Sequence, residues 1–428
     1  MNDRVTTVLR YCLALGLVMI LLAGVGCGSD EPDEPAAATT ETAPTASQPS
    51  EVTFSLADAN TAFAFDLYQQ LRAEEGNVFF SPYSISAALA MTYAGARDST
   101  ATQMENVLYI AGYEKAIDDA FRNLSETLAG RNELADPDAG DGFALHVVNA
   151  LWPQIGHEIL TPFIDTLRRH YGAELRELDY RADPEAARER INGWVSEQTA
   201  ERIQDLIPSG VIDEMTRLVL TNAIYFNAPW SEPFTEEATA TEPFAQLDGS
   251  IVDVSMMHKT ETMLYAEWDG GVAVDIPYNG DQLSMLVLLP DDFEAFEASL
   301  TAEAYEGIIE SLLTTRISLG LPKLEFEFAA SLVDGLKALG MTDAFDGSVA
   351  DFSGITGERD LAISDVLHKA FVSIDEAGTE AAAATAVVFR ATGMPTEPIE
   401  VIVNRPFLFA IRDRSTRSVL FIGRVLEP

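Results

Sequence analysis

The residues with the widest chemical range in this chain are its histidines, and their spacing matches no familiar catalytic arrangement. The five are His146, His157, His170, His258 and His368. No two lie four positions apart, so there is no zinc-binding His-Glu-x-x-His run, and the sequence has no Walker A loop and no Gly-x-Ser-x-Gly elbow. A Ser-His-Asp triad needs only proximity in space and stays open, but nothing points to one. We expect no enzyme, no metal site and no cofactor.

The stretch from Asp375 to Pro398 is more unusual, because its first half is small-sided and nearly uncharged. It begins Asp-Glu-Ala-Gly-Thr-Glu and continues with four alanines and Thr-Ala-Val-Val-Phe-Arg. The alanines favour a helix, and Thr379 could cap it. As a strand, the same residues would alternate between two faces. The residues alone leave helix and strand both open.

The strand interpretation separates the charges cleanly. One face would be uncharged, and it would hold Thr379, Ala381, Ala383, Thr385, Val387 and Phe389. The other face would carry Glu380 and Arg390 towards water. Such a strand could enter a sheet with one side buried. Gly378 directly precedes it, where a hinge would benefit from the freedom of glycine in φ.

Three motifs resemble the serpin family, over roughly Phe54 to Pro428. The segment Glu376-Ala-Gly-Thr-Glu-Ala-Ala-Ala-Ala-Thr385 closely resembles the hinge of the reactive-centre loop of inhibitory serpins. Asn77-Val-Phe-Phe-Ser-Pro-Tyr-Ser-Ile-Ser86 resembles a turn beneath their main sheet, and Asn227-Ala-Pro-Trp-Ser-Glu-Pro-Phe234 resembles a segment at its top.

The resemblance implies an inhibitor that is cleaved as a substrate and inserts its loop into the main sheet. Its partners would be serine proteases, with cysteine proteases as an alternative. The alternative function is a non-inhibitory serpin that serves as a binding or chaperone-like module. The implied hinge residues are Glu376, Gly378, Thr379, Glu380, Ala381, Ala382, Ala383, Ala384 and Thr385.

The resemblance also suggests the reactive bond. In typical inhibitory serpins the cleaved residue lies sixteen positions after the glutamate that corresponds to Glu376, which gives Thr392-Gly393. That bond would suit proteases that accept small side chains. Arg390-Ala391 is the alternative, and it would attract trypsin-like enzymes, whose specificity pocket carries a carboxylate.

Five further residues match positions that serpins use when the main sheet opens. A polar cluster beneath the sheet is implied, because buried polar groups must find partners and can exchange them when strands separate. Trp230 matches a tryptophan where the loop first enters; its alternative interpretation is an ordinary core aromatic. The predicted sheet-opening cluster is Ser81, Ser84, Asn222, His368 and Trp230.

Helical patterns dominate the first half of the chain and strands the second, which predicts an α+β fold. Arg217–Phe226 is an almost continuous apolar run, typical of a strand that is covered on both faces. We predict a short helix over Ala330–Leu339 and a hairpin at the C-terminus. By resemblance, helices surround a large mixed β-sheet and smaller sheets, and the reactive-centre loop is exposed.

The N-terminal residues resemble an export signal. An apolar run, Leu13–Val25, follows two arginines and ends at Gly26-Cys27, like a bacterial lipoprotein cleavage box. We predict a signal at residues 1–27, a disordered tether at 28–52 and a serpin domain at 53–428. Cys27 would carry the lipid at the cell envelope. Ordinary secretion with an incidental Cys27 is the alternative.

Composition narrows the partners further. The net charge of −41 disfavours nucleic acid and anionic lipid as partners, so contact with a membrane is expected only through the N-terminal anchor. The only cysteines are Cys12 and Cys27, both in the export region, so the body has no disulfide. We expect a monomer.

Overall fold

The computed structural model describes residues 54–133, 144–379 and 397–428. The helices in these ranges are α1 (Leu56–Leu71), α2 (Pro82–Tyr93), α3 (Asp98–Val107), α4 (Ile117–Ala129), α5 (Thr161–Tyr171), α6 (Pro184–Gln198), α7 (Phe293–Ser299), α8 (Ala302–Glu310), α9 (Val333–Ala338) and α10 (Ser353–Thr356). The strands are β1 (Val78–Phe80), β2 (Ala144–Pro153), β3 (Glu174–Leu175), β4 (Leu218–Pro229), β5 (Ala240–Ala245), β6 (Ile251–Trp268), β7 (Gly271–Pro277), β8 (Leu283–Pro290), β9 (Leu313–Pro322), β10 (Leu324–Ser331), β11 (Leu367–Ile374), β12 (Gly378–Thr379), β13 (Ile399–Ile402), β14 (Phe407–Asp413) and β15 (Val419–Val425).

The main sheet has the strand order β10-β11-β12-β4-β2-β3. Its neighbours are antiparallel except for β2 and β3, which are parallel. The apolar run predicted as a strand forms β4, which continues to Pro229 and pairs with β2 from Leu218 to Asn227. The short β12 lies between β11 and β4.

A second sheet has the order β1-β15-β14-β8-β7-β6-β9-β13, and β5 pairs with β6. The predicted C-terminal hairpin is β14 and β15, in which every residue is buried. Between the two sheets the aromatic ring of Phe226 on β4 lies against that of Phe421 on β15, with centroids 6.0 Å apart. Helix α2 packs against both β4 and β15, so the core joins the sheets through this helix.

Local sequence explains where three helices begin. The side chains of Ser55, Ser81 and Asp183 each accept a hydrogen bond from the backbone N–H three residues later, which satisfies one of the free donors at the start of α1, α2 and α6. Pro82 and Pro184 then occupy the first helical position, where a missing N–H costs nothing.

The mixed α+β class is confirmed, and one boundary is wrong. The helix predicted over Ala330–Leu339 begins only at Val333, because Ala330 and Ser331 continue β10 and pair with His368 and Leu367 of β11. Tertiary pairing here outweighs the helical preference of alanine. In the described ranges no helix combines the length and the apolar character needed to cross a bilayer.

Candidate functional site

The start of the predicted hinge is a strand of the main sheet. We call Asp375–Thr379 the hinge segment. The chain leaves β11, turns at Asp375, and returns as β12, where Thr379 pairs with Ile374 on one side and with Ala228 of β4 on the other. The Asp375 side chain holds the turn by accepting hydrogen bonds from the N–H groups of Ala377 and Gly378.

The segment after β4 binds the carbonyl groups of the hinge segment. The backbone N–H of Trp230 donates to Ala377 O at 2.9 Å, and that of Phe234 donates to Glu376 O at 2.9 Å. The indole Nε1–H of Trp230 donates to Asp375 O at 3.0 Å. Three successive carbonyls of the turn are therefore held by two aromatic residues.

The Glu376 side chain adds a charged contact to the same turn. Its carboxylate accepts from Lys323 Nζ at 2.7 Å and from Thr239 Oγ1 at 2.7 Å. Burial alone would raise the pKa of Glu376, but the hydrogen bonds from Lys323 and Thr239 lower it overall. The same pair raises the pKa of Lys323, mainly through the hydrogen bond to Glu376. Both residues are therefore charged at neutral pH.

Thr379 points into the core. Only 2% of it is exposed, and its hydroxyl lies 2.7 Å from the hydroxyl of Tyr278. The Tyr278 ring stacks on Trp230, with centroids 4.7 Å apart and planes 7° apart. Burial raises the pKa of Tyr278, so its hydroxyl keeps its proton and remains a hydrogen-bonding partner for Thr379.

Gly378 is required for a reason other than the one expected. Its φ is not in the left-handed region. Instead, a Cβ at this position would lie 2.2 Å from the carbonyl oxygen of Ala228 and 2.6 Å from the Cα of Pro229. In this state glycine is needed because β12 approaches the backbone of β4 too closely for a side chain, and the benefit of a free φ to a hinge here stays a prediction.

We call the line between β4 and β11 below β12 the slot. Among the described residues these two strands share no ladder with each other and are joined only through β12. Small cavities lie along this line, one between Phe226 and Ala370 and another between Ile224 and His368. At the lower end is a cavity of about 220 Å³, between α2, the first residues of β4 and residues 361–368.

The predicted polar cluster lies beneath the slot. His368 is 7% exposed, and its Nε2 accepts a 3.2 Å hydrogen bond from the backbone N–H of Ser81. The Ser81 hydroxyl caps α2 by accepting from Ser84 N–H. Burial lowers the pKa of His368 from 6.5 to about 4, so the ring is neutral and can accept that bond.

Asn222 belongs to β4, where its backbone pairs with Asn149, but its side chain lies outside the described part of the chain. Trp230 belongs to the hinge contacts. By the register of β12 it lies eight residues above Asn222, which is level with His368, or about 26 Å along the strands at the usual rise per residue. Of the five predicted residues, Trp230 therefore lies at the upper end of the slot and the other four lie around His368, near its middle. The residues 380–396, which include both candidate reactive bonds and the hinge positions from Glu380 to Thr385, also lie outside the described residues, as does Cys27.

The outer face of the slot is crossed by the segment after α6, residues 199–207. Ile203 in this segment is buried, and the Arg202 guanidinium lies 5.2 Å from the centroid of the Phe371 ring on β11. Lys369 Nζ, also on β11, donates to Gln204 O at 2.7 Å. A strand that enters the slot would therefore be covered by α2 on one face and by this segment on the other.

Apart from His368, each described histidine side chain lies near one carboxylate. His157 lies 4.0 Å from Asp360, His170 lies 3.2 Å from Asp119, and His258 lies 2.8 Å from Glu242. These carboxylates are all on the surface or half-buried. In residues 54–133, 144–379 and 397–428, no group of three His, Cys, Asp or Glu side chains is placed to bind a metal ion.

Sequence reasoning missed the side chains that bond to the hinge segment, Thr239, Tyr278 and Lys323. It also missed Lys259, which packs against Trp230 and Phe234 behind that segment. These four side chains come from separate places in the chain, and only the tertiary fold brings them together. The rarity of lysine could have drawn attention to two of these side chains. The chain has five lysines among 428 residues, and two of them, Lys259 and Lys323, lie at this site.

Comparison with known proteins identifies the family. A family model described as "Serpin (serine protease inhibitor)" matches residues 58–428. An uncharacterized serpin-like protein of Thermococcus kodakarensis is 42% identical over 375 residues, which are 87% of this chain and 85% of that protein. The leukocyte elastase inhibitor of Equus caballus is 38% identical over 387 residues, or 87% and 99% of the two chains.

The fold agrees with this result. The crystal structure of uncleaved ovalbumin is similar with a TM-score of 0.77 and 29% sequence identity, over 88% of this chain and all of that one. The chain belongs to the serpin family. Its α+β architecture is that of the family.

Proposed function

We propose that this chain inhibits serine proteases as a suicide substrate, with the loop around 376–398 as the bait. The observation that carries the proposal is the position of the hinge segment. Gly378 and Thr379 already form a strand between β11 and β4, and Thr379 is buried. The relatives named as protease inhibitors, including the leukocyte elastase inhibitor, support the same function.

The register of β12 indicates what would follow if the strand were extended. Thr379 lies opposite Ala228 and Ile374, so each further residue would step one position down both neighbouring strands. Thr385 would then lie between Asn222 and His368, directly above the polar cluster. The interpretation of 379–389 as a strand with one uncharged face fits this slot, since that face would point at the core.

The slot also has the right length. β4 begins at Leu218, which the same register would place opposite Phe389. Val387 and Phe389 would reach the cavity at the lower end, whose wall includes Leu218, Leu220 and Val366. Both candidate bonds, Arg390-Ala391 and Thr392-Gly393, follow Phe389. Cleavage at either bond leaves the whole inserting strand on the N-terminal piece.

The proposed reaction follows acyl-transfer chemistry. The protease serine oxygen attacks the carbonyl carbon before the scissile bond, the amide bond breaks, and the new amine leaves with a proton from the protease histidine. The N-terminal piece is now an ester of the protease. Insertion of that piece carries the protease across the molecule and distorts its active site before water hydrolyses the ester. The uncut state must therefore be held kinetically above a more stable inserted state.

The decisive experiment mixes the domain from residue 53 onwards with trypsin-, elastase- and subtilisin-like proteases in separate reactions. We expect a band, stable in SDS, at the summed mass of the N-terminal piece and the protease. Mass spectrometry of the C-terminal piece would locate the bond. Cleavage in the loop with no trapped band for all three proteases would contradict inhibition and favour the binding or chaperone-like module.

A further inference from the structure

The buried lysine of β6, Lys259, has no part in the mechanism described so far. The exposed fraction of its side chain is only 8%, in a chain that has few lysines and a large excess of acids. Its Nζ lies 4.6 Å from the centroid of the Phe234 ring and 5.7 Å from that of Trp230. The same nitrogen donates to Glu232 O at 2.8 Å and pairs with Glu261 at 3.0 Å.

These contacts all fall on one short segment. Lys259 contacts Trp230, Glu232 and Phe234. Two of these residues, Trp230 and Phe234, also donate the N–H groups that bind the hinge carbonyls. A cation over two aromatic faces fixes the rings in place, and the bond to Glu232 O fixes the backbone between them. Lys259 does not touch the hinge segment in any contact that we find among the described residues.

We propose that Lys259 is a positioning residue for loop insertion: by holding Trp230–Phe234 rigid, it keeps the hinge segment seated between β11 and β4 and so favours trapping over release. The proposal rests on the proposed function. When a protease has cleaved the loop, insertion competes with hydrolysis of the ester. A hinge segment that is already paired with β11 and β4 makes insertion faster, because its first residues are in position before cleavage.

The test compares Lys259→Met, which keeps the length and apolar stem, with Lys259→Arg, which restores the cation. A third variant, Lys259→Met with Glu261→Gln, leaves no unpaired carboxylate and guards against a folding defect. The matched control is Lys337→Met, which removes a similar lysine contact, 5.5 Å above the Phe345 ring, far from the hinge in the fold.

Two readouts are measured. Hydrogen exchange of the Trp230 and Phe234 amides reports the hinge contacts in the free protein, with no protease present. The ratio of cleaved inhibitor to trapped protease reports how often hydrolysis of the ester precedes insertion. For Lys259→Met and the double variant we expect both quantities to rise, by about thirtyfold at most, the factor that corresponds to one desolvated cation–π contact. Lys259→Arg should return the exchange rate and the ratio of cleaved to trapped product to the wild-type values.

The outcomes are distinct. Unchanged exchange at Trp230 and Phe234 in the methionine variants would overturn the proposal, and so would an equal rise in Lys337→Met, since that would indicate general destabilisation. Faster exchange with an unchanged ratio of cleaved to trapped product would overturn the link to trapping. If the wild-type protein traps no protease, the proposed function fails, while the exchange result still decides whether Lys259 seats the hinge.

Discussion

At the scale of single residues, Thr379 determines the orientation of everything that follows it in the loop. Its side chain faces the core and bonds to Tyr278, so every second residue after it would face the core as well. At the register of β12, Ala381 would lie between Phe226 and Val372, whose exposed fractions are 6% and 1%. A charged side chain at this position would lie in an apolar environment that is closed to water.

We therefore expect Ala381→Asp to abolish trapping while cleavage continues. Insertion would bury an unpaired carboxylate, at a cost of several kcal/mol by order of magnitude. Ala382→Asp is the matched control, because its side chain would face away from the core, towards the Arg202 guanidinium that lies over Phe371, where a carboxylate meets a positive charge. The ratio of cleaved to trapped product, read from SDS gels, distinguishes the two. Equal trapping by both aspartate variants would contradict the predicted register.

His368 gives a prediction about pH. Its pKa is about 4 in the folded protein and about 6.5 when exposed, because burial disfavours the charged ring. As the pH falls from about 6.5 to 4, His368 binds a proton in the unfolded chain but stays neutral in the native chain. The free energy of unfolding therefore decreases. Below about 4 both states are protonated and the loss stops. The full effect is roughly 3 kcal/mol.

We expect His368→Gln to remove this part of the pH dependence. Its urea midpoint should be lower than that of the wild type at pH 7, because a buried hydrogen bond from Ser81 is altered, but the difference should shrink towards pH 4. Because all other titrating groups are common to the two proteins, the comparison isolates the histidine. A difference that stays constant from pH 7 to 4 would argue against a depressed pKa.

At the scale of elements, β12 depends on the absence of a side chain at Gly378. We expect Gly378→Ala to displace β12 from the sheet, because the new Cβ would lie 2.2 Å from a backbone oxygen that cannot move aside easily. The variant should expose the hinge segment to faster hydrogen exchange and raise the proportion of cleaved inhibitor.

Gly347→Ala is the control for this substitution. Gly347 is exposed and a Cβ there would meet only the Ala362 side chain, at 4.0 Å. It should leave hinge exchange and trapping unchanged. If Gly378→Ala behaves like Gly347→Ala in both measurements, the close approach of β12 to β4 is not a constraint in solution.

The elements that could be predicted from sequence are those with a strong local signal. The apolar run of β4 and the C-terminal hairpin are of this kind. The site was predictable only in part. Hinge residues form a continuous motif, whereas Tyr278, Lys259 and Lys323 come to this site from distant parts of the chain, and no local pattern marks a side chain that acts across a fold.

The close contact at Gly378 was hidden from the sequence for a similar reason. A glycine in sequence offers two properties, freedom in φ and the lack of a Cβ, and only the neighbouring strand shows which one is used. The same applies to Ala330 and Ser331, whose helical preference is local and whose pairing with β11 is not.

At the scale of the whole molecule, the N-terminal residues determine where the inhibitor would meet its targets. We propose export and attachment to the cell envelope through a lipid on Cys27. In a bacterial host, the full chain should label with a radioactive fatty acid and sediment with membranes. Cys27→Ser should lose the label and leave the membrane fraction.

Cys12→Ser is the control for lipidation, because it changes the other cysteine inside the predicted signal. It should keep both the label and the membrane association. An unlabelled wild-type chain found in the medium would favour ordinary secretion instead.

The chain that follows the loop would keep the two pieces of a cleaved molecule together. From Ile399 the chain enters β13, then β14 and β15, whose residues are buried in the second sheet between β8 and β1. Cleavage before this point would leave two polypeptides that share one core. Under native conditions such a heterodimer should travel as a single particle, heavier by one water molecule. Its two masses should separate only after denaturation, so a native mass spectrum alone would hide the cut.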